Sequence, residues 1–417
     1  MNGDPMNQKS KLSKAELSFI LYDVANSAFV MIITATIPIY FRQLADEAGV
    51  LTYATSLWGS ITSLSVLILA LLSPILGALA DYQNIRKKIF AFFLGLGILS
   101  ALSFSVTTNW IAFLVFFLFS RIGYAACNIL YDAMLTDVTT DERMDLISSC
   151  GYAFGYIGSC IPFVAGILVI FNKPFGWTTM QATQISFLIT IFWWLLMSIP
   201  LFLNVHQVHC LPSRRDFISD SFKRLIQTFR KLCENKALLY YIIGYFFFID
   251  GVYTIISMAT TYGGEVGIDN TAMILALLLT QFVAFPCAIL SGIISKRFGA
   301  VKVIRVFILM YIGICIFGFQ LDKEWEFWVL AIAVGICQGG IQALSRSHYG
   351  KLIPKEESNE YFGFFDIFGK FADFFGPLIL AVCAFFFHTS RFGILALILL
   401  FVIGLYFLQK SEQHRNN

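Results

Sequence analysis

The stretch YFGFFDIFGKFADFFGP, from Tyr361 to Pro377, carries three charged residues, Asp366, Lys370 and Asp373, among phenylalanine, glycine and other apolar residues. Their spacing of four and three residues places them on one face of a helix. The apolar run continues beyond Pro377 for long enough to cross a membrane, so the stretch predicts a membrane-spanning helix. Charge inside a membrane is costly and usually marks a transport path or a coupling site. The stretch therefore favours a transporter over a receptor or a structural protein.

Composition extends this interpretation to the whole chain of 417 residues, of which 58% are hydrophobic and 13% charged. Soluble domains carry about 25% charged residues. The apolar runs are continuous and about twenty residues long, which favours helices over the alternating strands of a membrane β-barrel. We predict an all-α polytopic membrane protein with twelve transmembrane helices, from 19–41 to 390–409. The polar N-terminus shows no cleavable signal pattern, and the nine cysteines show no paired extracellular spacing.

The distribution of lysine and arginine predicts the orientation of the chain. With twelve spans both termini lie on one side of the membrane. Of the basic residues outside the predicted spans, only Arg42, Lys173, Lys323 and Arg391 fall on the other side. The positive-inside rule therefore predicts cytoplasmic N- and C-termini. We expect a multi-pass protein of the cell (inner) membrane, in contact with the lipid bilayer.

The longest polar stretch divides the predicted spans into two sets of six. Residues 1–203 form a predicted N-terminal half, 204–237 a cytoplasmic linker, and 238–417 a predicted C-terminal half. Within the linker, apolar residues recur at helical spacing between lysines and arginines. This pattern predicts an amphipathic helix on the inner membrane surface.

The two halves resemble each other weakly in sequence. Gly77 and Gly292 each precede a basic loop, and they lie 215 residues apart. The acidic pairs that begin at Asp141 and Glu356 share this offset. Parallel repeats of six spans are the plan of the major facilitator fold, in which the substrate site lies between the halves near mid-membrane. We therefore predict this fold.

The loop after the second span has the pattern Gly77-x-x-x-Asp81-x-x-x-x-Arg86-Lys87-Lys88, which resembles the signature loop of the major facilitator superfamily. Glycine lets two helices approach closely. The carboxylate can lie against a helix N-terminus of the other half, where the helix dipole favours negative charge. We expect gating roles for Asp81 and Arg86. The alternative, an ordinary positive-inside loop, explains the basic residues but not glycine and aspartate together.

Depth along the predicted spans sorts the remaining charged residues. Asp23, Asp132 and Arg346 lie near the cytoplasmic face, and we expect a structural or gating role for Asp23 and Arg346. Deeper residues are candidates for substrate binding or coupling. The alternative is a structural ion pair, in which a buried cation neutralises a neighbouring carboxylate without adding stability. The deeper residues are Arg121, Asp250, Asp366, Lys370 and Asp373.

Other chemistry is not indicated by the sequence. It contains no phosphate-binding loop and no spacing typical of a catalytic triad. The pattern His206-x-x-His209-Cys210 lies at the end of the sixth span without a second cluster, so we interpret it as a loop rather than a metal site. We expect no enzymatic activity, no metal, no cofactor and no nucleic-acid partner.

Several segments together resemble the vacuole-effluxer family and its bacterial relatives, a branch of the major facilitator superfamily. They begin at Tyr22, Asp250, Gln281, Gln338 and Glu360, and the most specific is QGGIQALSRS, from Gln338 to Ser347. The resemblance implies secondary transport, and the fungal vacuolar branch of the family exports amino acids. The short chain without long loop insertions suits the bacterial branch.

The leading hypothesis is a monomeric secondary transporter that exports a small zwitterionic or anionic metabolite by alternating access. Proton coupling is plausible because a desolvated carboxylate can have a raised pKa. A pair between Asp250 and Lys370, expected to join the halves, would break when substrate or proton binds. One alternative is a lipid or amphiphile flippase on the same fold, with the phenylalanines around Asp366 lining a lateral opening. Another is a sensor or scaffold without transport, against which the deep charges argue.

Overall fold

The computed structural model describes residues 11–212, 217–387 and 389–416. Twelve helices in these ranges are long and apolar enough to cross a membrane, which confirms the predicted all-α architecture. We number them spans 1 to 12 in chain order. They are Lys14–Ala35, Ala54–Ala80, Arg86–Val106, Trp110–Val138, Asp141–Asn172, Thr179–Asn204, Lys236–Val266, Asn270–Phe298, Ala300–Phe319, Glu324–Leu352, Ser358–Phe387 and Arg391–Asn416.

Two further helices lie beside the spans. Span 1 ends at Ala35, earlier than predicted, and a short helix, Ile37–Glu47, follows it. Pro38 lies in the first turn of this helix, where the missing backbone N–H has no helical partner to lose. The helix Phe217–Glu234, called the linker helix, lies between spans 6 and 7.

Polar residues cap several spans at their first turn. Ser13 accepts from the backbone N–H of Glu16 at 3.1 Å, and the Glu16 carboxylate accepts from the backbone of Ser13 at 2.8 Å. Thr178 and Gln181 form the same reciprocal pair at the start of span 6. These side chains satisfy amide groups that the helix itself leaves unpaired.

Helix packing repeats between the two sets of six spans. Span 1 packs on spans 5 and 6, and span 7 packs in the same way on spans 11 and 12. Span 4 packs on spans 2 and 3, and span 10 packs in the same way on spans 8 and 9. Spans 1–6 are called the N-terminal half and spans 7–12 the C-terminal half. The halves meet mainly where span 2 packs on span 11 and span 5 on span 8. This is the predicted major facilitator fold of two six-helix halves.

Glycines allow the helices of the two halves to approach closely. A Cβ added to Gly77 on span 2 would lie 2.2 Å from the backbone oxygen of Asn359 at the start of span 11. A Cβ on Gly363 of span 11 would lie 2.5 Å from the backbone oxygen of Ser73. Since real atoms cannot approach so closely, only glycine fits at either crossing.

The end of the bundle at which span 1 begins and span 12 ends is called the basic face. The even-numbered spans end at this face and the odd-numbered spans begin there, so the linker helix also lies on this side. Its assignment to the cytoplasm rests on the charge distribution and stays a prediction. The side-chain contacts between the halves described next are concentrated at this end.

Candidate functional site

The guanidinium of Arg346, near the basic-face end of span 10, enters a cage formed by three spans of the other half. Its Nη1 donates to the Asp132 carboxylate on span 4 at 2.9 Å, and its Nη2 donates to Asp23 on span 1 at 3.2 Å. Its Nε donates to the hydroxyl of Ser148 on span 5 at 2.9 Å. Arg346 is only 2% exposed, so a cation of the C-terminal half is neutralised inside the N-terminal half.

Aromatic rings and a glycine shape this cage. The guanidinium carbon of Arg346 lies 4.5 Å from the ring centre of Tyr152 and 5.4 Å from that of Tyr131, within the range of cation–π attraction. The Tyr131 hydroxyl donates to Asp23 at 2.8 Å. A Cβ added to Gly151 would lie 2.3 Å from a carboxylate oxygen of Asp23. Glycine therefore leaves the space that this carboxylate occupies.

The depth of Asp23 and Arg346 along the predicted spans favours a gating role for both residues, and the structure brings these two side chains together. Asp132, at the same predicted depth, is absent from the predicted set although it binds the same guanidinium. A sequence pattern that could have identified Asp132 is that Arg346 lies at the same predicted depth as two carboxylates, Asp23 and Asp132. The gating role itself stays a prediction.

A second contact between the halves centres on Asp145 of span 5. Its carboxylate accepts from the hydroxyl of Ser347 at 2.7 Å and from Lys351 at 2.6 Å, both on span 10. It also accepts from Ser295 on span 8 at 3.2 Å. Asp145 is 7% exposed. The contact therefore ties the start of span 5 to the basic-face ends of two C-terminal spans.

The third contact between the halves places Asp81, just after span 2, against the N-terminus of span 11. Its carboxylate accepts from the backbone N–H of Asn359 at 2.9 Å and from that of Glu360 at 3.2 Å. The helix dipole favours a negative charge there. Burial nevertheless raises the pKa of Asp81 to about 8, with Glu360 adding to this effect while Asn359 and Arg224 oppose it. The predicted position against a helix of the other half is observed.

The linker helix completes this third contact through Arg224. Its Nη2 lies 2.7 Å from Oε2 of Glu360 and 3.6 Å from Oδ2 of Asp81. Burial lowers the pKa of Arg224, but the carboxylates of Glu360 and Asp81 outweigh burial and raise it above its ordinary value. The linker helix thus places a cation between two buried carboxylates, one from each half. Arg224 is not among the residues predicted from the sequence, because the basic sequence of the linker does not indicate which of its arginines packs against the bundle.

The predicted gating residue Arg86 forms an ion pair within the N-terminal half. At the start of span 3 it forms an ion pair of 2.6 Å with Asp137 at the end of span 4. Both residues belong to the N-terminal half. Nδ1 of His209, which belongs to the His206-x-x-His209-Cys210 pattern, also lies 2.9 Å from Oδ1 of Asp137. Arg86 therefore links spans 3 and 4 of the N-terminal half, and its expected gating role stays a prediction.

Deeper in the bundle, Lys370 pairs with Asp366 one turn away on span 11. Asp366 also accepts from the hydroxyl of Ser73 on span 2 at 2.7 Å. The side chains of Lys370 and Asp366 are 18% and 21% exposed. The pair therefore lies at the boundary between the halves and keeps some access to solvent or ligand.

Asp250 of span 7 occupies a different environment from the one expected. It is fully buried, and its Oδ1 accepts from the backbone N–H of Gly376 on span 11 at 2.9 Å. Lys370 pairs with Asp366 instead, and spans 7 and 11 belong to the same half. The expected pair between Asp250 and Lys370 across the halves is therefore wrong.

The remaining predicted residues lie on spans 4 and 11. The guanidinium carbon of Arg121 lies 5.9 Å from the ring centre of Phe117. Arg121, Tyr124, Asn128 and Asp132 are all partly exposed on span 4, and their spacing places them along one face of that helix. The side chain of Asp373 lies outside the described part of the structure.

A cavity of about 110 Å³ lies within the C-terminal half, among spans 7 to 12. Most of its lining is apolar, and the hydroxyl or amide groups on it come from Thr254, Tyr262, Thr280, Gln281 and Gln338. The side-chain oxygen of Gln281 is buried and accepts no hydrogen bond from the described residues.

Comparison with known sequences relates this chain to a family of transporters. Residues 52–417 match the family described as "Vacuole effluxer Atg22 like". The chain is 42% identical to the uncharacterized MFS-type transporter YxiO of Bacillus subtilis (strain 168), over 95% of this chain and 94% of that protein. It is 25% identical to autophagy-related protein 22 of Yarrowia lipolytica, over 67% of this chain. The chain matches only 53% of the length of that fungal relative.

Solved structures share the fold at low sequence identity. The human organic anion transporter MFSD10 superposes with a TM-score of 0.72 at 14% identity, over 98% of this chain and all of that one. The transporter FucP, in its outward conformation, superposes with a TM-score of 0.72 at 14% identity, over 95% and 97% of the two chains. These likenesses show the major facilitator fold alone.

Proposed function

Because this chain belongs to the vacuole effluxer Atg22-like family, we propose that it exports a small zwitterionic, amino-acid-like metabolite by alternating access. Membership makes it a membrane transporter of the major facilitator type. The observation that supports the proposed substrate is the pair of Lys370 and Asp366, which lies between the halves and contacts Ser73 of the N-terminal half. The word "effluxer" in the family description supports export.

The charges of the pair suit a ligand that carries both signs. A substrate carboxylate would bind Lys370, and a substrate ammonium would bind Asp366, so the ligand would replace the internal ion pair without leaving a buried charge unpaired. Arg121 and Asp132 on the facing span 4 would add a cation and an anion. Such exchange keeps the cost of desolvation low for a zwitterion, whereas a neutral sugar that separated Lys370 from Asp366 would leave both residues without an opposite charge.

Opening of the basic face requires the contacts of Arg346, Asp145 and Asp81 to separate. Each contact joins the two halves, so rocking of one half against the other would break all three together. We propose that the cycle is coupled to protons. A ligand or proton shifts this equilibrium only by its different affinity for the two arrangements.

A thermal-shift screen of purified protein against single L-amino acids tests the substrate class, because a ligand of the folded state raises the melting temperature. We expect at least one amino acid to stabilise the wild type and to have no effect on Lys370→Ala. The matched control is Lys323→Ala, a lysine of the loop before span 10. Stabilisation that is equal in Lys370→Ala and wild type would contradict the proposed site.

A second candidate is a lipid or amphiphile flippase, and the apolar cavity within the C-terminal half favours it. An alkyl chain would fill this cavity while the amides of Gln281 and Gln338 bind a polar end. Enlarging Ala276, which is buried on the lining, to Leu or Phe separates the candidates. Loss of lipid flipping with unchanged amino-acid binding would favour the flippase.

A further inference from the structure

We propose that the basic face carries a binding site for a phosphate-type oxyanion, and that occupation of this site favours separation of the two halves. The site is a cavity of about 500 Å³ between the start of span 5, the loop from span 8 to span 9, and the ends of spans 10 and 12. It lies away from the pair of Lys370 and Asp366. The binding step stands independently of the proposed function.

The N-terminus of span 9 forms one wall of this cavity. Gly299 is the cap residue, with φ of +88° and no side-chain hydrogen bond to the helix, and Ala300 to Lys302 form the first turn. All four residues line the cavity. Because the helix has twenty residues and an uncapped first turn, its amide groups and its dipole attract an anion.

His348 of span 10 provides an independent observation at the same cavity. It lines the cavity, is 5% exposed, and packs against Tyr241 with the ring centres 4.9 Å apart and the rings tilted by 59°. No hydrogen bond from any described residue reaches its imidazole. His348 is thus a largely buried polar side chain on the cavity wall without a hydrogen-bond partner among the described residues, and an oxyanion in the cavity would accept a hydrogen bond from its imidazole.

The charges of the cavity are divided between the two halves. The C-terminal half contributes the cations Lys296, Lys302, Lys351 and Arg415 and one carboxylate, Glu412, which is paired with Arg305, whereas span 5 contributes Asp141, Glu142 and Asp145. Lys351 is paired with Asp145. Lys296 and Lys302 form no ion pair with the described residues and remain available to a ligand. In this arrangement Lys351 of the C-terminal wall therefore binds a carboxylate of the other half, whereas Lys296 and Lys302 are accessible to a soluble anion.

Competition between the anion and span 5 gives the direction of the effect. An oxyanion bound by Lys302 and the span 9 N-terminus is attracted by Lys351 and repelled by Glu142 and Asp145. Its affinity is therefore higher once span 5 has moved away. By linkage, an anion that binds the separated arrangement more tightly also shifts the protein toward it. The predicted shift toward the separated arrangement rests on alternating access, whereas the predicted binding of the anion does not.

Binding of inorganic phosphate to the purified full-length protein tests the proposal, with sodium chloride at matched ionic strength as the reference. We expect a saturable rise of the melting temperature. The double variant Lys296→Ala/Lys302→Ala should bind at least tenfold more weakly, and Lys323→Ala should bind as the wild type does.

Glu142→Gln, which removes an exposed negative charge from the wall, should bind several-fold more tightly. His348→Phe keeps a ring against Tyr241 and should weaken binding, which provides a test if the double variant does not fold.

A lipid headgroup offers the same chemistry as free phosphate, so the source is tested with nanodiscs of phosphatidylcholine with and without phosphatidic acid. Stabilisation by phosphatidic acid alone, lost in the double variant, supports the site with lipid as its source. Absence of stabilisation by both probes overturns the proposal. So does stabilisation that the double variant retains in full, or a Glu142→Gln variant that binds phosphate more weakly.

Discussion

The guanidinium of Arg346 on span 10 lies 2.9 Å from the carboxylate of Asp132 on span 4, and the two residues belong to different halves. Asp23 and Ser148 surround the same guanidinium. A transporter that opens at this face has to withdraw this buried cation from its cage. Removal of this arginine alone would leave two carboxylates buried without their cation, and we expect this to destabilise the closed basic face.

Arg346→Gln should open the basic face. Removing one partner of a buried ion pair costs about 3–5 kcal/mol, so the ratio of closed to open protein should fall by about a hundredfold or more. Electron spin resonance distances between labels at Lys88→Cys and Arg297→Cys, one on each half, should lengthen. Arg305→Gln is the matched control, because it breaks an ion pair with Glu412 inside the C-terminal half. A distance distribution that is the same in both variants would contradict the assignment.

Gly77→Ala should prevent full closure, because its Cβ would lie 2.2 Å from the backbone oxygen of Asn359. Gly59→Ala changes the same span at a position with no neighbour within 4 Å. We expect the label distance to lengthen and transport to fall at least tenfold in the first variant only. Equal transport by the two variants would exclude a close approach of spans 2 and 11 during the cycle.

Acid should favour the closed basic face through Asp81. In the closed arrangement burial raises its pKa to about 8 from an ordinary value of 3.8, so the closed arrangement binds more protons than one in which water reaches Asp81. The stabilisation is complete below the ordinary value and is lost as the pH rises to about 8. Asn359, Glu360 and Arg224 are the groups that face this carboxylate.

The label distance, measured from pH 5 to pH 9, checks the expected pH dependence. It should lengthen with rising pH in the wild type and change much less in Asp81→Asn, which cannot ionise. An unchanged pH dependence in Asp81→Asn would assign the effect to another group.

Arg224→Gln should weaken closure from outside the bundle. Its loss leaves Glu360 and Asp81, from different halves, without the cation that lies between them. Lys223→Gln is the neighbouring control, because Lys223 is exposed. We expect a lower unfolding temperature and a longer label distance for Arg224→Gln, and values near those of the wild type for Lys223→Gln. If the linker helix only connects the halves, both variants will resemble the wild type.

Features that depend on position along a single helix can be predicted from the sequence. Apolar run lengths predict the twelve spans, and depth places Asp23 and Arg346 near one face. The glycine and aspartate of the loop after span 2 predict the contact of Asp81 with a helix of the other half. Each of these predictions rests on spacing within one segment.

Contacts between segments depend on how each helix is rotated, and a single sequence carries little information about rotation. The expected pair of Asp250 with Lys370 fails for this reason, since Asp250 faces the backbone of Gly376. Asp132 and Arg224 are missed for the same reason, because nothing in their own segments shows that they face a charge elsewhere in the chain.

Transport of radiolabelled L-amino acids by protein in proteoliposomes tests the central claim most directly. The proposal predicts saturable transport by the wild type, a loss of about a hundredfold or more in Lys370→Ala, and near-normal transport by Lys323→Ala. Lys370→Arg should retain part of the activity, because it keeps the cation beside Asp366. Transport at the wild-type rate by Lys370→Ala would contradict the claim that this pair forms the substrate site.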